Sequence, residues 1–358
     1  MKVHQDLPKN TLSKNEVVYL NISSNVILNT LKVPTINNFE HLAEQLSLTK
    51  GLLYFLTYQK QYCYRQMEIP KKDGTNRILN APILSLKVVQ KWILTEILEK
   101  INVSEQAMAF VPKRNGLRVN AEYHKKTLFL LEMDIQNFFG TITEKQVFRL
   151  FCNIGYSIDV ASILTNLCTY EKVLPQGAVT SPYIANLVCY HLDARLNGFC
   201  SRKDIVYTRY ADDLAFSSSN RAQLNSIEKF VKYIIEDEGF TINERKTRYL
   251  SNDVKKTLTG ITINNEEIHV DKKYKRKIRA AIFNSIVNKD YSSNERIRGS
   301  IAYVNSIEDG YCDKICKYIT NIMQKPSLMN DEEIVNAFNR NKLFKNLPDM
   351  VFEENPFA

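Results

Sequence analysis

The sequence predicts an α+β protein built on a split βαβ sheet. Three observations carry that expectation. Two apolar runs, Ile205-Val206-Tyr207 and Leu214-Ala215-Phe216, flank Tyr210-Ala211-Asp212-Asp213, which reads as strand, tight turn and strand with the acids at the turn. A third strand-like run, residues 129–135, carries Asp134 near its end. Helix-like stretches surround these runs, and residues 271–340 give helical signals without strand alternation.

The elements follow in order. Residues before about 38 are mixed, and their Asn and Ser clusters point to loops. Residues 39–59 read as one helix, because Leu42, Leu46, Leu53 and Leu56 recur near helical spacing. Residues 69–78 form a basic hairpin that turns at Asp73-Gly74. Residues 83–101 read as a helix around Trp92, the only tryptophan, which is expected as a core anchor. Residues 143–154 and 158–169 are helix candidates. Leu174-Pro175-Gln176-Gly177 is a loop that leads into an apolar helix over 183–196, with Ser181 as N-cap and Pro182 in the first turn. A further helix over 224–238 precedes a loop that contains Lys246, and residues 261–270 read as a hairpin.

The chemistry concentrates at the strand ends. Adjacent acids repel, so Asp212 and Asp213 require open water or a cation. With Asp134 on a second strand, they could hold a pair of Mg²⁺ ions that clamps the attacking and leaving oxygens of an in-line phosphoryl displacement. That reads as nucleotidyl transfer. An Asp-Asp pair alone is commonly a surface turn; the company it keeps changes the reading. Lys71 and Arg77 on the basic hairpin suit a triphosphate. Gln176 offers an amide near a nucleotide, and Gly177 lets backbone approach it. Phe138-Phe139 is more often a core pair, but in a polymerase a bulky ring beside the sugar would collide with a ribose 2′-OH. Lys246 is placed to lend a proton to a leaving pyrophosphate. Taken singly, each residue also has a plain structural use, as a charged turn, a capped helix, a core ring or a surface lysine.

On these motifs and in this order, the chain resembles the reverse transcriptases over roughly residues 69–260. The resemblance implies a right-hand polymerase, with an N-terminal region and fingers in 1–125, a palm in 126–260 and a helical thumb and tail in 261–358. It implies Asp134, Asp212 and Asp213 as catalytic acids that, with Ile135, hold two Mg²⁺ ions. It implies Lys71, Arg77, Phe139, Gln176, Gly177 and Lys246 on the dNTP. Asn120-Ala121-Glu122-Tyr123-His124 fits the NAxxH pattern of bacterial retron enzymes, and Leu258-Thr259-Gly260 stands where these usually show VTG. Retron resemblance implies that the protein binds its own structured noncoding RNA and copies part of it. The product would be multicopy single-stranded DNA joined to RNA, started from a guanosine 2′-OH. Asn120 and His124 are expected to serve recognition of that RNA or its product. Phage defence, with a separately encoded effector protein as a further partner, belongs to the same expectation.

Composition agrees. Lys and Arg number 48 against 39 Asp and Glu, giving a net charge of +9. A block at Lys272, Lys273, Lys275, Arg276, Lys277 and Arg279 is interleaved with apolar residues. It reads either as a solvated helix face or as a phosphate-binding surface, in which Lys273, Lys275, Arg276 and Lys277 would meet RNA. Seven scattered cysteines argue for reduced thiols and against zinc. No GxSxG elbow supports a serine hydrolase. No signal-like or membrane-length apolar run stands out, so a cytoplasmic protein without membrane contact is expected. The alternatives are another bacterial reverse transcriptase, of the intron or abortive-infection sort, and a noncatalytic RNA-binding protein on a decayed palm. Intron enzymes generally extend past the thumb into a maturase region, which this chain is expected to lack. All three acids are present, against decay.

Overall fold

Alternating apolar residues along three short runs build the sheet at the centre of the molecule. A computed structural model describes residues 24–70, 74, 76–251, 253–324 and 331–339. The chain order opens with helices α1 (Ser24–Thr30), α2 (Phe39–Gln45) and α3 (Lys50–Tyr58), then strands β1 (Tyr64–Pro70) and β2 (Asn76–Pro82) and helices α4 (Leu84–Glu96) and α5 (Gly116–His124). Strand β3 (Phe129–Asp134) leads to α6 (Phe138–Thr141), α7 (Glu144–Ile154), α8 (Ile158–Cys168), α9 (Ser181–Val188) and α10 (Tyr190–Ser201). The hairpin β4 (Val206–Tyr210) and β5 (Asp213–Ser218), helix α11 (Arg221–Asp237) and β6 (Arg248–Ser251) follow. Then come β7 (Thr257–Leu258), β8 (Ile261–Asn264), β9 (Glu267–Val270), α12 (Lys272–Val287), α13 (Asn294–Ile307), α14 (Tyr311–Met323) and α15 (Glu332–Asn339).

The central sheet is antiparallel in the order β4-β5-β3-β6. Successive side chains of a strand face opposite sides, and β3 uses both. Leu131 and Met133 join Leu214 and Phe216 beneath Leu224, Ile227 and Val231 of α11. Leu130 and Ala215 instead meet Ala121 of α5 and the cluster formed by β7–β9 and helices α12–α14. The sheet therefore separates two cores. One holds helices α1–α4 and α6–α11 on one face of β3–β5, and the other holds β7–β9 and helices α12–α15.

Several boundaries differ from the sequence expectation, for local reasons. The single helix over 39–59 is two, because Ser47 turns left-handed at φ 54 and the Thr49 hydroxyl accepts from the amide of Leu52 to cap a new start. Residues 83–101 form α4 and then a short 3₁₀ turn, and Trp92 is half-buried against the core. A helix, α1, lies where loops were expected; residues 1–23 are outside the described residues. Ser181 is not the N-cap of α9. Its hydroxyl donates to the carbonyl of Pro175 at 2.8 Å and ties down the preceding loop, with Pro182 in the first turn as expected. The 261–270 hairpin gains a third strand, β7, through a two-residue turn in which Thr259 and Gly260 both have positive φ, at 48° and 87°. That is the conformation tight hairpins favour. Among the described residues, no helix is long and apolar enough to cross a membrane.

Candidate active site

Strand pairing brings the three acids together. Asp134, the last residue of β3, lies opposite Asp213, the first residue of β5. The amide of Ile135 donates to the carbonyl of Asp212 at 2.9 Å, which pins the hairpin tip against the end of β3. Ala211 starts the turn at φ 56, a left-handed conformation that costs a residue bearing a Cβ about 1–2 kcal/mol. Such strain persists where the surroundings enforce it, often at functional sites.

Lys246 supplies the local counter-charge. It ends a 3₁₀ turn over Glu244–Lys246, and Asn243 just before that turn donates its amide to the carbonyl of Asp134 at 2.8 Å. The Lys246 ammonium donates to Oδ2 of Asp134 at 2.6 Å. Partial burial works against that ammonium, but Asp134, Asp212 and Asp213 outweigh it and raise its pKa. One ammonium does not balance three acids. The Asp212 carboxyl is raised by desolvation and by Asp134, against Lys246 and Arg77. Asp213 is pushed up to about 7, by desolvation and then by Asp212, Asp134 and Glu132. Asp213 is exposed to solvent as a whole residue, and its neighbours Asp212, Asp134 and Glu132 crowd it with like charge. Glu132 itself is held by Arg248.

These are hard oxygen donors of the kind Mg²⁺ prefers, and their mutual repulsion is what a cation would relieve. Among the described residues, no three His, Cys, Asp or Glu side chains converge on one point, and Asp134 is engaged by Lys246. The donor set fits a divalent ion once that ammonium moves aside.

The residues expected at a nucleotide lie on other elements than the acids. Arg77 on β2 is exposed, and its charge reaches Asp212. Lys71 lies outside the described residues. The carbonyl of Gln176 accepts from the amide of Asn80 on β2 at 2.8 Å, so the Gln176–Gly177 loop is stitched to β2. Gly177 has φ 111, a conformation that favours glycine, and a Cβ there would press on the carbonyl oxygen of Asn80 at 3.1 Å. Phe138 is buried, whereas Phe139 is half-buried with its ring 5.3 Å from that of Phe138.

Asn120 and His124 sit elsewhere. They are 1% and 0% exposed, on the α5 face that packs against the sheet. The His124 ring meets Ser217 Oγ at 2.6 Å through Nδ1 and Thr208 Oγ1 at 2.7 Å through Nε2, and Thr208 donates to Asn120 Oδ1 at 2.6 Å. The expectation that they touch nucleic acid does not fit this burial; they join α5 to β4 and β5. Burial, with Lys256 nearby, pushes the His124 pKa down to about 3, so the ring is neutral. On α12, Lys273, Arg276 and Lys277 are exposed. Lys275 is instead spent on Glu308, at 2.8 and 2.9 Å, which corrects its expected role on RNA.

One group was missed by the sequence reading. Arg209, two residues before the acid turn, is completely buried and grips Asp193 of α10 with two parallel hydrogen bonds of 2.8 and 2.7 Å. The signal was an arginine inside an apolar strand, which demands a buried partner.

Comparison with known proteins agrees with this geometry. The family described as reverse transcriptase (RNA-dependent DNA polymerase) matches residues 69–275. The retron Ec86 reverse transcriptase of Escherichia coli is 31% identical over 300 residues, 83% of this chain and 93% of that protein. The retron Mx65 reverse transcriptase of Myxococcus xanthus is 28% identical over 308 residues, 80% of this chain and 72% of that one. Among solved structures, the apo telomerase of Candida tropicalis aligns with a TM-score of 0.48 at 12% identity, over 79% of this chain and 62% of that one. Acids at paired strand ends, the loop stitched to β2 and the family match converge: the chain belongs to the bacterial retron reverse transcriptases and is an RNA-directed DNA polymerase of right-hand fold.

Proposed function

We propose that this polymerase binds its own structured noncoding RNA and copies part of it into multicopy single-stranded DNA joined to RNA, within a phage-defence system that includes a separately encoded effector. The carrying observation for the chemistry is the register pairing of Asp134 with Asp213 beside the Asp212 turn. The retron setting rests on the relatives. In this reading, fingers, palm and thumb follow the divisions 1–125, 126–260 and 261–358.

Asp134, Asp212, Asp213 and the carbonyl of Ile135 would hold two Mg²⁺ ions. When bound, these supply the charge stabilisation for the attacking and leaving oxygens of nucleotidyl transfer. Arg77, with Lys71, grips the dNTP phosphates. Gln176 and Gly177 line the nucleotide from the loop fixed to β2. Phe139 packs against the sugar and rejects a 2′-OH. Lys246 leaves Asp134 as the nucleotide enters and gives its proton to the pyrophosphate. Lys273, Arg276 and Lys277 add phosphate contacts, which supply affinity without sequence choice. Asn120 and His124 support the sheet behind the acids.

The test is Mg²⁺-dependent dNTP incorporation on RNA, together with sequencing of the nucleic acid that copurifies with the protein. The expected result is incorporation, and a branched RNA–DNA species derived from one structured transcript. Incorporation with no such species would leave a general reverse transcriptase. Copurified RNA with no incorporation on any template would favour an RNA-binding protein.

A further inference from the structure

We propose that Arg209 is a positioning residue that couples the acid turn to the ring at the sugar. The guanidinium is buried between four groups that belong to different elements. Its Nε and one terminal nitrogen hold both carboxylate oxygens of Asp193 on α10. Its other terminal nitrogen donates to Asn186 Oδ1 on α9 at 3.0 Å and to the carbonyl of Ala211 at 3.3 Å. Its central carbon lies 6.0 Å from the centre of the Phe138 ring, which in turn packs on Phe139.

Each anchor is itself fixed. Asp193 Oδ1 also accepts from the Tyr207 hydroxyl at 2.8 Å, and the Asn186 amide donates to the carbonyl of Ala109 at 2.8 Å. The backbone of Arg209 is clasped too. Its amide donates to Gln106 and its carbonyl accepts from Met108, at 2.8 and 2.7 Å. A rigid fork held at so many points is pre-organised. The Ala211 carbonyl is the one acceptor among these that belongs to the strained turn. Its peptide joins Ala211, at φ 56, to Asp212. A hydrogen bond to that carbonyl sets the peptide plane from which Asp212 projects. The same guanidinium faces the ring that backs Phe139. Metal-turn geometry and sugar-side geometry therefore share one buried cation.

A core ion pair has a plain structural use, and removing one partner leaves an uncompensated charge. The test therefore neutralises both. Arg209→Gln with Asp193→Asn keeps an acceptor for Tyr207 and a donor beside it, without a buried charge. Arg209→Lys keeps the charge but loses the fork. Single-nucleotide incorporation on an RNA template is measured with dNTP and rNTP, per active site from the burst amplitude, so that unfolded protein does not count. Both variants are expected to lower kcat for dNTP by about tenfold or more with little change in KM, and to reduce dNTP-over-rNTP selectivity. Unchanged kcat and selectivity per active site, with only a smaller burst or a lower melting temperature, would overturn the proposal.

The selectivity half rests on Phe139 as the sugar gate, and Phe139→Ala is run alongside to separate the two. If Phe139→Ala changes selectivity and the Arg209 variants do not, the coupling is wrong. If Phe139→Ala changes nothing, the gate reading fails, and a lower kcat per active site supports the turn-positioning half alone.

Discussion

At its tip the β4–β5 hairpin holds Asp212 and Asp213 beside Asp134, with Lys246 as the counter-charge on Asp134. At the base of the same hairpin, Thr208 and Ser217 close onto His124 and Asn120. The base is buried, uncharged and mutually hydrogen-bonded. The tip crowds like charges and carries a strained alanine. Polar groups that satisfy one another hold the fold, as buried networks do. Polar groups that the protein leaves in repulsion are poised for something that arrives from outside. Arg209 lies between the two, with its charge paired by Asp193 and one donor turned toward the tip.

The strongest way to break this contrast is to neutralise the tip. Asp212→Asn, Asp213→Asn or Asp134→Asn should each lower primer extension by ~10⁴-fold or more, about 5.5 kcal/mol of transition-state stabilisation. The fold should survive. Asp213, raised toward 7, opposes folding as pH rises through that value, so Asp213→Asn should leave the melting temperature at neutral pH unchanged or higher. A large fall in melting temperature would put these acids with the structural group.

The opposite outcome is expected one element away. Asp193→Ala strands the buried guanidinium and should destabilise the fold by about 3–5 kcal/mol in urea unfolding. A variant as stable as wild type would mean that the pair is hydrated and not part of the core.

Acid sharpens the same comparison at the base. His124 has a folded pKa of about 3 against 6.5 for an ordinary histidine. The unfolded chain therefore takes up a proton that the folded one refuses. Its contribution is complete above pH 6.5 and is lost progressively as pH falls toward 3, by about 2 kcal/mol between pH 7 and 5. His124→Asn should remove one proton from the pH dependence of unfolding. An unchanged slope would place the neutral ring elsewhere.

Smaller effects are expected at the rim. Phe139→Ala should lower discrimination against ribonucleotides by about 10–100-fold with modest loss of dNTP rate. Neutralising Lys273, Arg276 and Lys277 should reduce the log–log salt slope of RNA binding by about 2–3, whereas Lys275→Gln should change it little because Lys275 serves Glu308.

The tip was legible in the sequence because its signals are local. Acids beside short apolar runs, a glycine that a loop conformation favours and a proline in a first helical turn all announce themselves within a few residues. The base was not legible. Nothing in Asn120 or His124 tells whether the residue faces solvent or a sheet, since their partners Thr208 and Ser217 lie far along the chain. Arg209 carried half a signal, because an arginine in an apolar strand needs a partner, but Asp193 sits on a helix and no spacing rule connects them. Lys275 looked like its neighbours until Glu308, from the end of α13, reached it. The break in the 39–59 helix shows the same limit in miniature, since leucine spacing continued across a cap that Thr49 imposes.

The central claim, that the hairpin tip is unbalanced charge awaiting metal, is tested most directly by Mg²⁺ titration of thermal unfolding on wild type and Asp213→Asn side by side. Wild type should gain melting temperature with rising Mg²⁺, following the logarithm of metal concentration above the dissociation constant. Asp213→Asn should start at or above the wild-type value without metal and gain little. Equal gains in both proteins, or none in wild type at concentrations that support DNA synthesis, would contradict the account.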